Sequence, residues 1–363
     1  MPTPESRPRP GARARLHGLD LARGLAIIGM VIVNVGPTEV ESLLQRIYLL
    51  PFGRASVLFV VIAGVGMGFL LRSRRGHGLW RELSWRIVLL LVIGLVLQTL
   101  TDRVSVILTT YALLFLLAPL AWRLPSRWLL TAAGAITVAG PGWIVWHEIA
   151  PHRMHAQEAV SLTTPPGDVL HSLFISGPYP LASWTVPFLV GLWLSRIDLG
   201  DRTVQLRMMA WGGGVAVVSF VLADLSYALL GPEADVGWTR LLTGVGHGQM
   251  PLWIISATAG ACFLIGACVR WGVRGRLSRW LTRAGTMALT LYVAHVLVLA
   301  VVKPEDGFGF AAGVATATAL STALVVLAVL WQRDGRTGPL ERLLRRTWLR
   351  PTSSPPTPQE RPS

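Results

Sequence analysis

The residues of this sequence that could do chemistry are ionisable and amide side chains set inside, or at the edge of, apolar runs. In TMALTLYVAHVLVL, His295 lies within such a run, displaced toward one end. An imidazole there needs hydrogen-bond partners, and its titration near neutrality suits general acid–base work. A histidine bonded across helices purely for packing is the alternative. His247, in GVGHGQMP, stands between glycines that permit close approach of backbone or ligand. Near the start, RLHGLDLARGLAIIGMVIVN sets Asp20 and Arg23 at the mouth of an apolar run that closes on Asn34. Charges at the edge of a membrane helix are costly and hint at function. Headgroup anchoring by Arg23 and helix capping by Asp20 are the structural alternative. Asp224 falls inside a further apolar run, where an acid needs a paired cation. In SGPYPLASW, Tyr179 and Trp184 are natural interfacial anchors around a rigid double-proline bend that could rim a cavity.

Other chemistries find little support. His147, His152 and His155 could converge in a loop, but Pro151 interrupts regular structure there and no thiolate completes a known spacing, so no metal is predicted. Cys262 and Cys268, six apart in one apolar run, lie on different helix faces and read as small packing residues. The sequence has no G-x-S-x-G elbow, no Walker-type phosphate loop and no H-E-x-x-H, which argues against an ATPase or a zinc protease.

The elements that must position these residues follow from composition. The chain of 363 residues is 52 % hydrophobic and only 14 % charged, with a mean hydropathy of +0.53, where a soluble protein carries about a quarter charged residues. The expected fold is all-α, a polytopic integral membrane helix bundle of ten spans: about 20–36, 55–71, 87–101, 105–121, 128–146, 180–195, 208–230, 249–269, 285–302 and 309–331. Segment 170–179 is a candidate re-entrant piece. Pro119 and Pro187 fall inside spans, which is tolerated where neighbouring helices re-satisfy the backbone. The first run has no small-residue cleavage site and is expected to be a retained helix.

The net charge of +14 does not form a nucleic-acid-binding face. Alternate connections hold 26 of the 33 basic residues, all arginine, while Arg46, Arg54, Arg103, Arg153, Arg240 and Lys303 lie on the other side. That asymmetry places both termini in the cytoplasm. It divides the chain into a basic N-terminal tail (1–19), a transmembrane domain (20–332) and a basic, partly disordered C-terminal tail (333–363). The glycines of the second span, Gly64 and Gly68 at small-xxx-small spacing among them, predict close helix packing. No internal repeat is evident.

Several segments together resemble the bacterial YeiB-like family of membrane proteins: LDLARGLAIIGMVIVN, FGRASVLFVVIAGVGMGFLLR, ISGPYPLASWTVPFLVGLWLSR, HGQMPLWIISATAGACFLIGAC, GTMALTLYVAHVLV and GPLERLLRRTW. The resemblance runs in order from about residue 16 to 349. That family, a domain of unknown function, is more distantly similar to transmembrane acyltransferases such as heparan-alpha-glucosaminide N-acetyltransferase. The resemblance implies a bundle in a bacterial inner membrane that takes an acyl group from cytosolic acyl-CoA and delivers it to a sugar, lipid or other small acceptor. Asp20, Arg23, Gly24 and Asn34 are the shared opening. Those acetyltransferases carry a histidine in the loop after the first helix, whereas residues 35–53 here contain none. His295 or His247 would then act as base with Asn34 at the oxyanion, or the reaction is not acetyl transfer. In the same reading Asp20, Arg23, Arg86 and Arg283 meet the CoA. Arg54, His171, Tyr179, Trp184 and Asp224 are the candidate acceptor contacts. The competing classes are a transporter of a small or lipidic molecule and a non-catalytic membrane scaffold. A homodimer is compatible with all three.

Overall fold

The computed structural model describes residues 17–37, 42–74, 76–149, 159–231, 234, 237–244 and 248–345. His152, His155 and His247 lie outside the described residues. Nine of the ten expected spans lie mainly on a single helix, and the ninth in order, 285–302, is broken at Met287. In chain order the α-helices are α1 (His17–Val35), α2 (Leu43–Tyr48), α3 (Arg54–Ser73), α4 (Gly76–Leu100), α5 (Leu108–Arg123), α6 (Ser126–Ile149) and α7 (Pro166–His171). They continue with α8 (Leu181–Leu194), α9 (Arg202–Leu230), α10 (Pro251–Trp271), α11 (Arg276–Thr286), α12 (Ala288–Val302), α13 (Phe310–Trp331) and α14 (Pro339–Arg345).

Seven of these (α1, α3, α4, α6, α9, α10 and α13) are long and apolar enough to cross a bilayer. Two more candidate spans are bent pairs. Gly167–Ser176 joins Leu181–Leu194 at 59°, and α11 joins α12 at 84°. The first bend coincides with a π-helical turn, Ser172–Ser176, followed by Pro178 and Pro180, which cannot continue a helix. Segment 170–179 thus holds the end of a short helix and the bend before α8, the geometry of a broken span or of the re-entrant piece the sequence suggests. α5 is a shorter apolar helix of 16 residues, interrupted by Pro119. The chain is an all-α, multi-pass membrane protein.

Helix ends follow local chemistry. Asp201 caps α9 by accepting from the Val204 amide at 2.9 Å, and this bond holds its carboxyl below the usual carboxylate range. Gly231 and Gly272, at φ of 69° and 60°, end α9 and α10 in the backbone region that only glycine adopts freely. The apolar outer face of α9 stays exposed, with Trp211 73 % and Leu229 76 % accessible. Such a face suits lipid rather than water.

α1 is the axis of the bundle, contacting α3, α10, α11, α12 and α13. Missing side chains make the closest approaches. A Cβ on Gly285 of α11 would stand 1.7 Å from the Asp20 carbonyl, and one on Gly24 would stand 2.1 Å from the Leu281 carbonyl. α3 and α8 meet the same way: Gly64 lies against the Phe188 carbonyl and Gly191 against that of Val61. The packing expected of the second-span glycines is therefore realised, since only glycine lets these backbones touch.

Candidate functional site

Two features of α1, set about 16 Å apart by the helical rise between Arg23 and Asn34, define the site. At the N-terminal end Arg23 donates to Asp20 at 2.7 Å, and Asp20 is 2 % exposed. The pair lines a cavity of about 980 Å³ whose walls also carry Arg72, Arg86, Arg196 and Arg345. Among the described residues, five lining guanidinium groups face two lining carboxylates, Asp20 and Asp198. Several of these arginines have structural partners as well. Arg86 donates to Glu82 at 2.6 Å, Arg72 to the Ser195 carbonyl, and Arg196 to the carbonyls of Trp122 and Leu124. Burial, then the charge of Arg72, pushes the Arg196 guanidinium down. An anion in the cavity would relieve that cost.

A narrower cavity of about 290 Å³ shares Asp20, Arg23, Gly66, Arg86 and Arg345 with the first and runs into the bundle as far as Leu108 and Tyr111. The Tyr111 hydroxyl is buried there without a hydrogen-bond partner, and so is Arg86 Nε. Buried unpartnered donors in native folds call for an explanation, and a ligand is one.

Beyond Tyr111 the seam is continuous but closed. Tyr292 of α12 lies close enough to Tyr111 to interact electrostatically. Its hydroxyl accepts from the Ile107 amide at 3.2 Å. The Tyr292 ring stands edge-on to His295, centroids 5.0 Å apart. His295 Nε2 is 2.9 Å from Asn34 Nδ2, and the imidazole is 0 % exposed. With the amide donating, Nε2 is the acceptor and the proton sits on Nδ1, which is buried without a hydrogen-bond partner among the described residues. The Asn34 carbonyl in turn accepts from Lys303 Nζ at 2.8 Å, and Lys303 also reaches the Arg103 carbonyl at 3.1 Å. The irregular segment 101–107 that approaches Tyr292 is pinned by Gln98. Its amide donates to the Thr101 carbonyl and its Oε1 accepts from the Val106 amide, both at 2.8 Å. Backbone without helix is tolerated at this depth only with such satisfaction.

α12 is held by a residue far along the chain. Glu341 of α14, 8 % exposed, accepts from the Leu289 and Thr290 amides at 2.7 and 3.0 Å and from the Thr290 hydroxyl at 2.6 Å. A carboxylate at a helix N-terminus satisfies orphan amides and complements the helix dipole. Trp85 Nε1 donates to the Leu343 carbonyl and clamps α14 to α4.

The sequence-derived candidates divide accordingly. Asp20, Arg23 and Arg86 share the arginine cavity, and Asn34 and His295 are in contact. Tyr179 is buried: it holds the Thr110 hydroxyl on its carbonyl, donates to Ser105 at 3.3 Å, and lies near Tyr292. Three of the five tyrosines thus meet at the closed end of the seam. Trp184 is 1 % exposed and stacks edge-on against Tyr179 at 4.9 Å, so both aromatics are core, where the sequence suggested interfacial anchors. Arg283 is exposed and lies in a separate shallow cleft with His17, Arg276 and Arg279. Arg54 lines an apolar cavity between α1, α3, α9 and α10. Asp224 has the cation its position demands, Arg46 at 2.9 Å. His171 bonds Ser176 at 2.8 Å, and its ring lies tilted against that of His147, centroids 4.7 Å apart. Among the described residues, no group of three or more His, Cys, Asp or Glu is placed to hold a metal.

Sequence reasoning missed Tyr111, Tyr292, Glu341, Arg72, Arg196 and Arg345. Tyr292 was within reach, because it precedes His295 by three residues and shares its helix face. The others are brought in from helices whose pairing carries no local signal.

An all-α membrane bundle with a cationic cavity at one end and a buried amide–imidazole pair at the other defines a polytopic membrane protein with a polar seam through its core. Residues 15–223, more than half the chain, match the family described as heparan-alpha-glucosaminide N-acetyltransferase, catalytic. The chain belongs to that family. Residues 198–350 match a second family, described as protein of unknown function (DUF418). No curated protein matches the chain. The seam draws on both matched regions: Arg23, Asn34, Arg86 and Tyr111 fall in the first, His295 and Glu341 in the second.

Proposed function

We propose that the protein is a membrane acyltransferase that takes an acyl group from acyl-CoA at the arginine cavity and passes it through the seam to an acceptor near His295. The observation that carries this reading is the cavity itself. It holds five arginines, and the narrower cavity that shares Arg23, Arg86 and Arg345 with it reaches the unpartnered hydroxyl of Tyr111, near Tyr292, whose ring stands beside His295. Guanidinium forks suit phosphate oxygens, which fits the nucleotide end of CoA. Positive residues concentrate on the cytoplasmic side of membrane proteins, which fits a cytosolic donor in a bacterial inner membrane. Family membership supports acyl transfer as the reaction class.

Each residue then has a role. Arg23, Arg86 and Arg345 bind the donor phosphates, and the acyl thioester reaches toward Tyr111. The Tyr111 hydroxyl donates to the oxygen that gains charge as the carbonyl is attacked. His295, neutral and held by Asn34 with its lone pair on Nε2, takes the proton of an acceptor hydroxyl or amine on Nε2 as that group displaces the Asn34 amide, and the imidazolium returns the proton to the departing CoA thiolate. Because His295 is fully buried, acceptor and imidazole meet only when Tyr292 or the segment 101–107 moves aside.

Purified protein in lipid nanodiscs tests this by calorimetric acetyl-CoA binding and by thioester turnover. Arg86→Gln is expected to weaken binding, whereas Tyr111→Phe is expected to leave binding intact and slow turnover about 10²-fold, the scale of losing one oxyanion donor. Absence of both binding and turnover in the wild-type protein overturns the reading.

One observation favours a second reading. The 59° and 84° bends interrupt two apolar spans, and discontinuous helices beside a polar site are a device of transporters. Flux of a small molecule into proteoliposomes without acyl-CoA would decide for transport.

A further inference from the structure

α3 runs about 30 Å from Arg54 to Ser73, so Arg54 lies at the membrane face opposite the arginine cavity that holds Arg72. There it opens a cavity of about 550 Å³ between α1, α3, α9 and α10, walled by Leu25, Ile28, Ile32, Leu58, Phe220 and Leu264. Ser256, a polar residue of the lining, spends its hydroxyl on the Ala216 carbonyl at 3.0 Å. The walls are accessible from outside the bundle, with Leu25 36 % and Leu264 39 % exposed, so the groove opens sideways toward lipid.

The Arg54 guanidinium lies 5.4 Å from the Phe220 ring centroid. Among the described residues no carboxylate lies within ion-pair distance of it. Asp224, one helical turn beyond Phe220, is committed to Arg46. A half-buried guanidinium beside hydrocarbon is costly without a counter-charge, and a cation–π contact offsets only part of that cost. Arg54 is also the first residue of α3, where the helix dipole adds positive potential.

We propose that this groove binds one anionic phospholipid of that leaflet, its phosphate on Arg54 and one acyl chain lying between α1 and α10 toward Leu25 and Leu264. Charge complementarity selects the headgroup, since a zwitterionic lipid brings its own cation to a site that already has one. Shape selects the chain: the wall from Ile32 to Leu25 extends about 11 Å along α1. The site is separate from the acyl-transfer reading and stands or falls without it.

The test is native mass spectrometry of the full chain released from bilayers of equal phosphatidylglycerol and phosphatidylcholine. One retained phosphatidylglycerol per chain is expected, enriched about fivefold over phosphatidylcholine, the scale of one arginine–anionic lipid contact. Arg54→Gln should abolish the enrichment, and Arg54→Lys should keep it. Gly260→Phe, which fills the groove from a position where a Cβ meets nothing closer than 3.9 Å, should remove the retained lipid with Arg54 intact. Equal retention of the two lipids by the wild type, or unchanged retention in both Arg54→Gln and Gly260→Phe, overturns the proposal. Glycerol 3-phosphate displacing the lipid as well as phosphatidylglycerol does would also overturn it, because the groove would then contribute nothing beyond an anion contact.

Discussion

Removing the Asn34 amide isolates what orients the imidazole from what performs the chemistry. In Asn34→Leu the side chain is close in size, and the 2.9 Å bond to His295 Nε2 is lost while the ring stays buried at 0 % exposure. A buried acceptor left unpaired costs about 1–3 kcal/mol. If that cost falls on the reactive tautomer, turnover drops between about 5- and 150-fold at about 1.4 kcal/mol per decade. His295→Ala removes the base itself and should cost about 10²–10⁴-fold. Because the two groups act through one contact, the double variant should be no slower than His295→Ala alone. The assay is initial-rate release of CoA thiol by nanodisc-embedded protein with a saturating amine or hydroxyl acceptor, alongside acetyl-CoA binding, which both variants should retain. Unchanged turnover in His295→Ala refutes the assignment of the base. A double variant equal to the product of the two single losses refutes the orienting role of Asn34.

Three further outcomes are expected. Gly285→Ala drives a methyl into the Asp20 carbonyl at 1.7 Å, so α1 and α11 must separate; thermal melting should show a loss of about 1–3 kcal/mol together with weaker acetyl-CoA binding. Glu341→Ala strips three hydrogen bonds from the start of α12 and should lower stability by about 1–3 kcal/mol, with Glu341→Gln recovering part of the loss in the same melting series. Burial pushes the Lys303 ammonium below its ordinary value of 10.5, so the unfolded chain holds that proton more tightly. Stability should therefore rise with pH between the lowered value and 10.5, and a melting series in Lys303→Met should flatten that rise.

The helical scaffold was legible because hydrocarbon imposes it. Spans of about 20 apolar residues leave no other way to satisfy the backbone, and seven of the expected segments fall on single helices long enough to cross, the others on bent pairs or on the shorter α5. The 84° break between α11 and α12 was not legible, because no proline marks Met287 and the nearby Gly285 reads equally well as a packing glycine inside a continuous span. α14 was hidden for a related reason. Seven residues of ordinary amphipathic sequence in a basic tail do not show that Glu341 will cap a helix about 50 residues earlier. Arg283 and Arg86 look alike as arginines near the ends of apolar runs, and only packing separates the exposed one from the one that lines the cavity.

The sequence by itself determined the solvent in which this protein lives, the positions of its long apolar helices and the end of the bundle where cations gather. It also pointed to Asn34 and His295 as polar groups needing partners. Only the tertiary structure decided that they are each other's partner across 261 residues, and that three tyrosines meet between them and the arginines. The physical reason is that burial and periodicity are local properties of a chain. Which buried polar groups pair is decided by helix packing, through glycine contacts such as Gly24 with Leu281 that set how closely α1 lies against its neighbours.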